Sequence, residues 1–161
     1  MVIILIGVSG AGKTTIGKLL AEDLGWPFYD GDDFHPQSNV QKMKRGVALT
    51  DKDREPWLNA LQKLINGLIT RGESGILACS ALKKAYRDHL MKGNEGAHFI
   101  YLKGDYDLIR QRLDERKGHF MQTGLLESQF RTLEEPEDVF VVGVRPEPEE
   151  IVMSIKRALG L

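Results

Sequence analysis

Residues Gly7-Val8-Ser9-Gly10-Ala11-Gly12-Lys13-Thr14 fit the pattern G-x4-G-K-S/T, the phosphate-binding loop that joins a strand to a helix. No other stretch restricts the fold so tightly, because the loop works only between those two elements. The sequence supplies both. Val2 to Ile6 is an unbroken apolar run, as expected of a strand buried on both faces of a parallel sheet. From Lys13 onward, Ile16, Leu19, Leu20 and Leu24 recur at helical spacing. Glycines let the backbone curl around an anion, so that successive N–H groups and the helix N-terminus face phosphate oxygens. Gly7, Ser9, Gly10, Ala11, Gly12 and Thr15 belong to that cradle. Lys13 is placed to reach the β- and γ-phosphates, and the Thr14 hydroxyl to bind Mg²⁺. The expectation is a protein that binds a nucleoside triphosphate.

The remainder of the chain alternates strand-like and helix-like segments, which predicts an α/β fold with a mostly parallel sheet. Gly25 is a natural C-cap for the first helix, and 26–29 reads as a second strand. That strand delivers Asp30-Gly31-Asp32-Asp33-Phe34-His35 to its carboxyl end, the edge where ligands sit in open α/β sheets. Pro36 can open a helix that Gly46 closes, and Thr50-Asp51-Lys52-Asp53 predicts the capped start of a longer one with Trp57, Leu61, Ile65 and Leu68 on its apolar face. The spacing predicts a third strand over 75–79, a helix over 80–88 and a fourth strand over 97–102. An Asp105-capped helix, a break at 117–121, a helix over 125–133, a fifth strand over 139–142 and a final helix over 149–159 follow. Five strands with crossover helices make a three-layer α/β/α sandwich.

At 161 residues this is a single domain's worth of chain, 1–161, without repeats or linkers. The 22 basic and 23 acidic residues nearly cancel, so the composition offers no nucleic-acid surface. No apolar run approaches membrane-spanning length, which argues against a membrane partner. The lone Cys79 suits a reducing, cytoplasmic setting.

Phosphoryl transfer asks a protein mainly to position groups and neutralise charge. A small-molecule kinase also needs an acceptor site, often with a carboxylate to take or orient the hydroxyl proton. Asp30 and Asp32 are two apart, so in an extended segment both face one way, one to assist the metal and the other to meet the acceptor. The third strand ends without an acid and no guanine-reading N-K-x-D follows, which argues against a GTPase switch. Arg112 and Arg116, ahead of the glycine-containing break, read as a cationic lid, since the arginine fork pairs with phosphate and its plane stacks on a base.

Taken together these stretches resemble the gluconate kinases (gluconokinases), within the shikimate-kinase and nucleotide-kinase-like group of P-loop kinases. The resemblance is carried by G-V-S-G-A-G-K-T-T at 7–15, D-G-D-D-F-H-P at 30–36, L-T-D-K-D-R-E-P-W-L at 49–58 and C-S-A-L-K-K-A-Y-R-D at 79–88. F-I-Y-L-K-G-D at 99–105, R-L-D-E-R-K-G-H-F-M at 112–121 and S-Q-F-R-T-L-E-E-P at 128–136 extend it over nearly the whole chain. It implies ATP- and Mg²⁺-dependent phosphorylation of D-gluconate at its 6-hydroxyl, a parallel sheet in the order 2-3-1-4-5, a mobile lid over about 116–126 and homodimers in many members. By position it makes Lys13, Asp32 and Arg116 catalytic, Thr14 and Asp30 the metal residues, and Arg112 the side chain that packs on adenine. Asp32, Arg54 and Arg87 would face gluconate, with His35, Lys42, His119 and Gln129 as further substrate-binding candidates. Two alternatives stay open on the residues: a kinase for another small polar acceptor such as shikimate, and a nucleotide-dependent switch or binding module.

Overall fold

The computed structural model describes residues 1–116 and 123–161. Its centre is β1 (Val2–Ile6), whose five residues are all buried, as a strand flanked on both edges and covered on both faces must be. β3 (Gly75–Ala78) pairs with it on one side and β4 (Ala97–Lys103) on the other, with Leu5 opposite Ala78 and Ile100. β2 (Phe28–Asp30) completes one edge and β5 (Phe140–Gly143) the other. All four pairings are parallel, and the order β2-β3-β1-β4-β5 is the one expected.

Side chains alternate along β1 and so feed two separate cores. Ile3 and Leu5 pack with Ile16 and Leu20 of α1 (Lys13–Leu24), Ile109 of α5 (Tyr106–Glu115), Leu126 of α6 (Thr123–Thr132) and Ile151 and Ile155 of α7 (Pro148–Leu159). Val2, Ile4 and Ile6 pack with Trp57, Leu61, Ile65 and Leu68 of α3 (Asp51–Thr70) and Tyr86 and Leu90 of α4 (Lys84–Met91). The molecule is therefore the α/β/α sandwich anticipated, with α2 (Gln37–Lys44) ahead of α3 at the rim.

α3 starts on a complete capping box. The Thr50 hydroxyl accepts from the Asp53 N–H at 3.1 Å, and the Asp53 carboxylate accepts from the Thr50 N–H at 2.9 Å. Those hydrogen bonds and Lys42 hold the Asp53 carboxyl down at about 2. Thr50→Ala is expected to cost about 1 kcal/mol, read as a fall of about 3 °C in thermal midpoint for a chain of this size.

Two local expectations are corrected. Residues 80–83 are not helical: Ala81 has φ +41°, and the Arg87 guanidinium donates to the carbonyls of Ala81 (2.9 Å) and Leu82 (3.0 Å), so α4 begins only at Lys84. The stretch after Asp30 is not extended either. Gly31–Phe34 is a 3-10 turn whose N-cap is Asp30 itself, with Oδ1 accepting from the Asp32 N–H at 3.0 Å. Of the segment expected as a lid, residues 117–122, and with them His119, lie outside the described residues, and α6 begins at Thr123.

Candidate active site

The carboxyl ends of β1, β2 and β3 open into one cleft, as the topology of an open parallel sheet dictates. The phosphate loop forms its floor. Gly7 has φ +148° and an added Cβ would sit 2.7 Å from the Leu102 carbonyl oxygen, so only glycine turns the chain off β1 here. Gly12, left-handed at φ +93°, is the N-cap that launches α1. The Lys13 ammonium donates to the carbonyls of Gly7 (3.0 Å) and Val8 (2.8 Å), curling back over its own loop. From α6, Gln129 Oε1 accepts from the Ser9 N–H at 2.7 Å.

Asp30 and Asp32 face this floor from the end of β2 and the turn beyond it, and Thr14 joins them in the cleft wall. Burial pushes the Asp32 carboxyl above its ordinary range, against the opposing pull of Lys13. Burial likewise pulls the Lys13 ammonium below its usual value, with Asp32 the strongest group opposing that shift. The two groups therefore sit in a poorly solvated place, where each partly opposes the shift that burial imposes on the other. Beside them the Cys79 thiol is pushed up to about 12 by burial, so it stays neutral.

α3 supplies the opposite wall. The Trp57 indole N–H donates to the Gly31 carbonyl at 2.8 Å, pinning the acidic turn to the helix. His35 stacks on the same indole, with ring centroids 4.5 Å apart and 10° between planes. Arg54 is held by three contacts: Nη1 donates to the Leu49 carbonyl (2.7 Å) and to the Tyr86 hydroxyl (3.2 Å), and the guanidinium lies over the Tyr86 ring at 5.4 Å. The Tyr86 hydroxyl donates in turn to Asp51, which Lys83 also pairs with at 2.8 Å.

A second cleft adjoins the outer face of the loop, lined by Ala11, Thr15 and Arg112 and walled by residues 144–148. Arg112 donates to the Val144 carbonyl. Gly10, Gly12 and Arg116 line both clefts.

The structure thus brings Ser9, Gly10, Gly12, Lys13, Thr14, Asp30, Asp32, His35, Arg54, Arg116 and Gln129 to one cleft, with Ala11, Thr15 and Arg112 beside it. It does not bring Lys42 or Arg87 there. The Lys42 ammonium is engaged by both Asp53 oxygens at 2.9 and 3.0 Å. The buried Arg87 guanidinium is spent on the carbonyls of Ala81, Leu82 and Glu134. Both side chains shape the scaffold around the cleft and do not line it. Reasoning from sequence missed three supports: Trp57, read only as an apolar face residue, Tyr86 and the buried Asn39. The indole N–H was the one available signal, since a buried Trp needs an acceptor.

Among the described residues no group of three or more His, Cys, Asp or Glu is placed to hold a metal ion. The cleft wall does hold the Thr14 hydroxyl and the Asp30 carboxylate, oxygen donors of the kind that Mg²⁺ takes alongside waters and substrate phosphates. No described helix is long and apolar enough to cross a membrane.

Comparison with known proteins agrees with this geometry. Residues 9–155 match the shikimate kinase family model. The thermosensitive gluconokinase of Escherichia coli K12 is 50% identical over 134 residues, covering 83% of this chain and 72% of the relative. The thermoresistant gluconokinase of the same organism is 46% identical over 155 residues, covering 94% and 89%. Among solved structures, a gluconokinase from Sinorhizobium meliloti 1021 superposes with a TM-score of 0.89 at 40% identity, over 98% of this chain and 90% of that one. The chain belongs to the gluconokinases, within the shikimate kinase family.

Proposed function

We propose that this protein transfers the γ-phosphoryl group of ATP to the 6-hydroxyl of D-gluconate, giving 6-phospho-D-gluconate and ADP. The observation that carries the reading is the convergence of Lys13, Asp32 and Arg54 on one cleft in a chain similar to gluconokinases over most of its length.

ATP lies with its base in the second cleft against Arg112 and its phosphates along the loop N–H groups, where Lys13 and Arg116 meet the transferred group. Thr14 and Asp30 would hold Mg²⁺, which when bound neutralises charge on the β- and γ-phosphates. Arg54 faces the gluconate carboxylate, while His35 and Gln129 meet hydroxyls. Asp32 takes the 6-hydroxyl proton as the O6–P bond forms and the bond from the γ-phosphorus to the bridging oxygen breaks. The electron pair of that bond leaves with ADP. The raised pKa of Asp32 suits this task, because a carboxylate that holds a proton more tightly is a better base. The neutral, buried thiol of Cys79 fits a cytoplasmic enzyme.

Tyr86 is the brace that aims Arg54. Tyr86→Phe removes the hydroxyl that Arg54 and Asp51 share. The Michaelis constant for gluconate is expected to rise about fivefold, the worth of about 1 kcal/mol, with that for ATP unchanged. Steady-state kinetics with each substrate varied in turn checks this.

The decisive experiment is ADP release from ATP-Mg²⁺ with D-gluconate, shikimate and other sugar acids supplied separately. Strong stimulation by gluconate alone is expected. Stimulation by shikimate or another acid alone would replace gluconate as the acceptor. Failure of every acceptor in folded, ATP-binding protein would favour a nucleotide-dependent switch.

A further inference from the structure

We infer that Asn39 fixes His35 as an uncharged Nε2–H donor in the acceptor half of the cleft, which makes Asn39 a positioning residue for sugar-acid binding. The kinetic half of this inference rests on the sugar-acid reading of the cleft; the chemical half does not.

Asn39 is 2% exposed, a polar side chain inside the protein where each of its groups needs a partner. Its Nδ2 lies 2.8 Å from the Asp53 carbonyl oxygen and 3.2 Å from His35 Nδ1. A main-chain carbonyl only accepts, so the amide nitrogen and not the amide oxygen must face it. That settles which way the amide points. The same nitrogen carries two hydrogens and no available lone pair, one hydrogen for the carbonyl and one for the imidazole. His35 Nδ1 must therefore accept, and the proton of the neutral ring sits on Nε2.

A half-turn about Cβ–Cγ would set a C–H in place of Nδ1 against the Asn39 amide, so that hydrogen bond selects the orientation of the ring. The imidazole lies flat on the Trp57 indole, whose N–H is itself committed to the Gly31 carbonyl. Among the described residues, His35 Nε2 has no hydrogen-bond partner and is not sealed from solvent, and the residue lines the cleft. Burial and the facing Arg54 guanidinium both oppose a second proton and hold the ring at about 4. The result is a fixed N–H that donates to a hydroxyl or carboxylate oxygen without adding charge. Recognition of the acid's negative charge is left to Arg54, so charge and hydroxyl pattern are read by different side chains.

The test begins with nitrogen NMR of the ¹⁵N-histidine-labelled full-length protein, which has four histidines, with the His35 signals assigned through His35→Gln. Between pH 5.5 and 8, His35 is expected to show a bare Nδ1 and a protonated Nε2, with no substrate needed. A protonated Nδ1, or an imidazolium at pH 7, would overturn the proposal. Asn39→Asp sets an acceptor against Nδ1 and is expected to move the proton there. In that variant the Michaelis constant for D-gluconate should rise about fivefold, as for one lost neutral hydrogen bond, with that for ATP unchanged. A moved proton with an unchanged Michaelis constant would overturn it. If Asn39→Asp does not fold, His35→Gln, which keeps a neutral N–H, is expected to bind gluconate several-fold better than His35→Phe. Equal binding by those two variants would overturn it as well. Should D-gluconate itself not be turned over, the tautomer measurement still stands alone, and the kinetics are read with whichever acid is.

Discussion

Lys13→Ala is expected to lower kcat/KM about a thousandfold, or ~4 kcal/mol of transition-state stabilisation. The charge that phosphoryl transfer spreads over the equatorial oxygens needs a cation already in place, and Lys13 reaches over the loop that cradles the phosphates. Stability should move the other way. Burial lowers the folded-state pKa of Lys13, so keeping its ammonium charged at neutral pH costs the fold free energy. That cost fades only as the pH rises to the ordinary lysine range, where the unfolded chain also gives up the proton. Removing the group at pH 7 is therefore expected to leave the thermal midpoint unchanged or raise it. Turnover and melting curves on the same sample check both halves, and an unaltered kcat/KM would undo the assignment of the loop.

Asp32→Asn is expected to cut kcat by a factor of about a thousand while leaving ATP affinity close to that of the parent. The amide keeps the shape of the turn, since it is Asp30 and not Asp32 whose side chain caps it. What is lost is the group that accepts the hydroxyl proton. In the parent, burial outweighs the attraction of Lys13 and raises the Asp32 pKa, so the basic form is lost early on acidification. The acid limb of the parent's kcat/KM profile should lie above the ordinary aspartate range and be absent from the variant. Turnover near the parental level would remove Asp32 from the proton transfer. ATP titration by calorimetry separates a binding defect from a chemical one.

The elements legible in the sequence are those whose causes are local. The apolar run of β1, the glycines after it and the amphipathic α1 are read within 24 residues, and the Thr50–Asp53 box announces α3 in four. The sheet order came through resemblance, because pairing partners are set by crossovers that no local pattern encodes. Residues 80–83 misled because helix formers there are overridden by Arg87, whose guanidinium also reaches Glu134, 47 residues away. The acidic turn misled because Asp side chains compete with the strand by capping their own backbone. Arg87 and Lys42 are the residue types an acid substrate calls for, but their donors are engaged by tertiary partners outside the cleft. Asn39 gave no sign of its place, since its meaning lies in which two groups share one nitrogen.

The alternation of β1 sorts the effects of damage by parity. Ile3 and Leu5 support the helices that carry the phosphate loop and Arg112, whereas Ile4 and Ile6 support Trp57 and Tyr86. Cavities cut into adjacent residues of one five-residue strand would thus loosen opposite halves of the reaction: odd-numbered truncations the grip on nucleotide, even-numbered ones the grip on the acid. A single strand acts as the party wall between two binding economies, and neighbouring codons in its gene answer to different substrates.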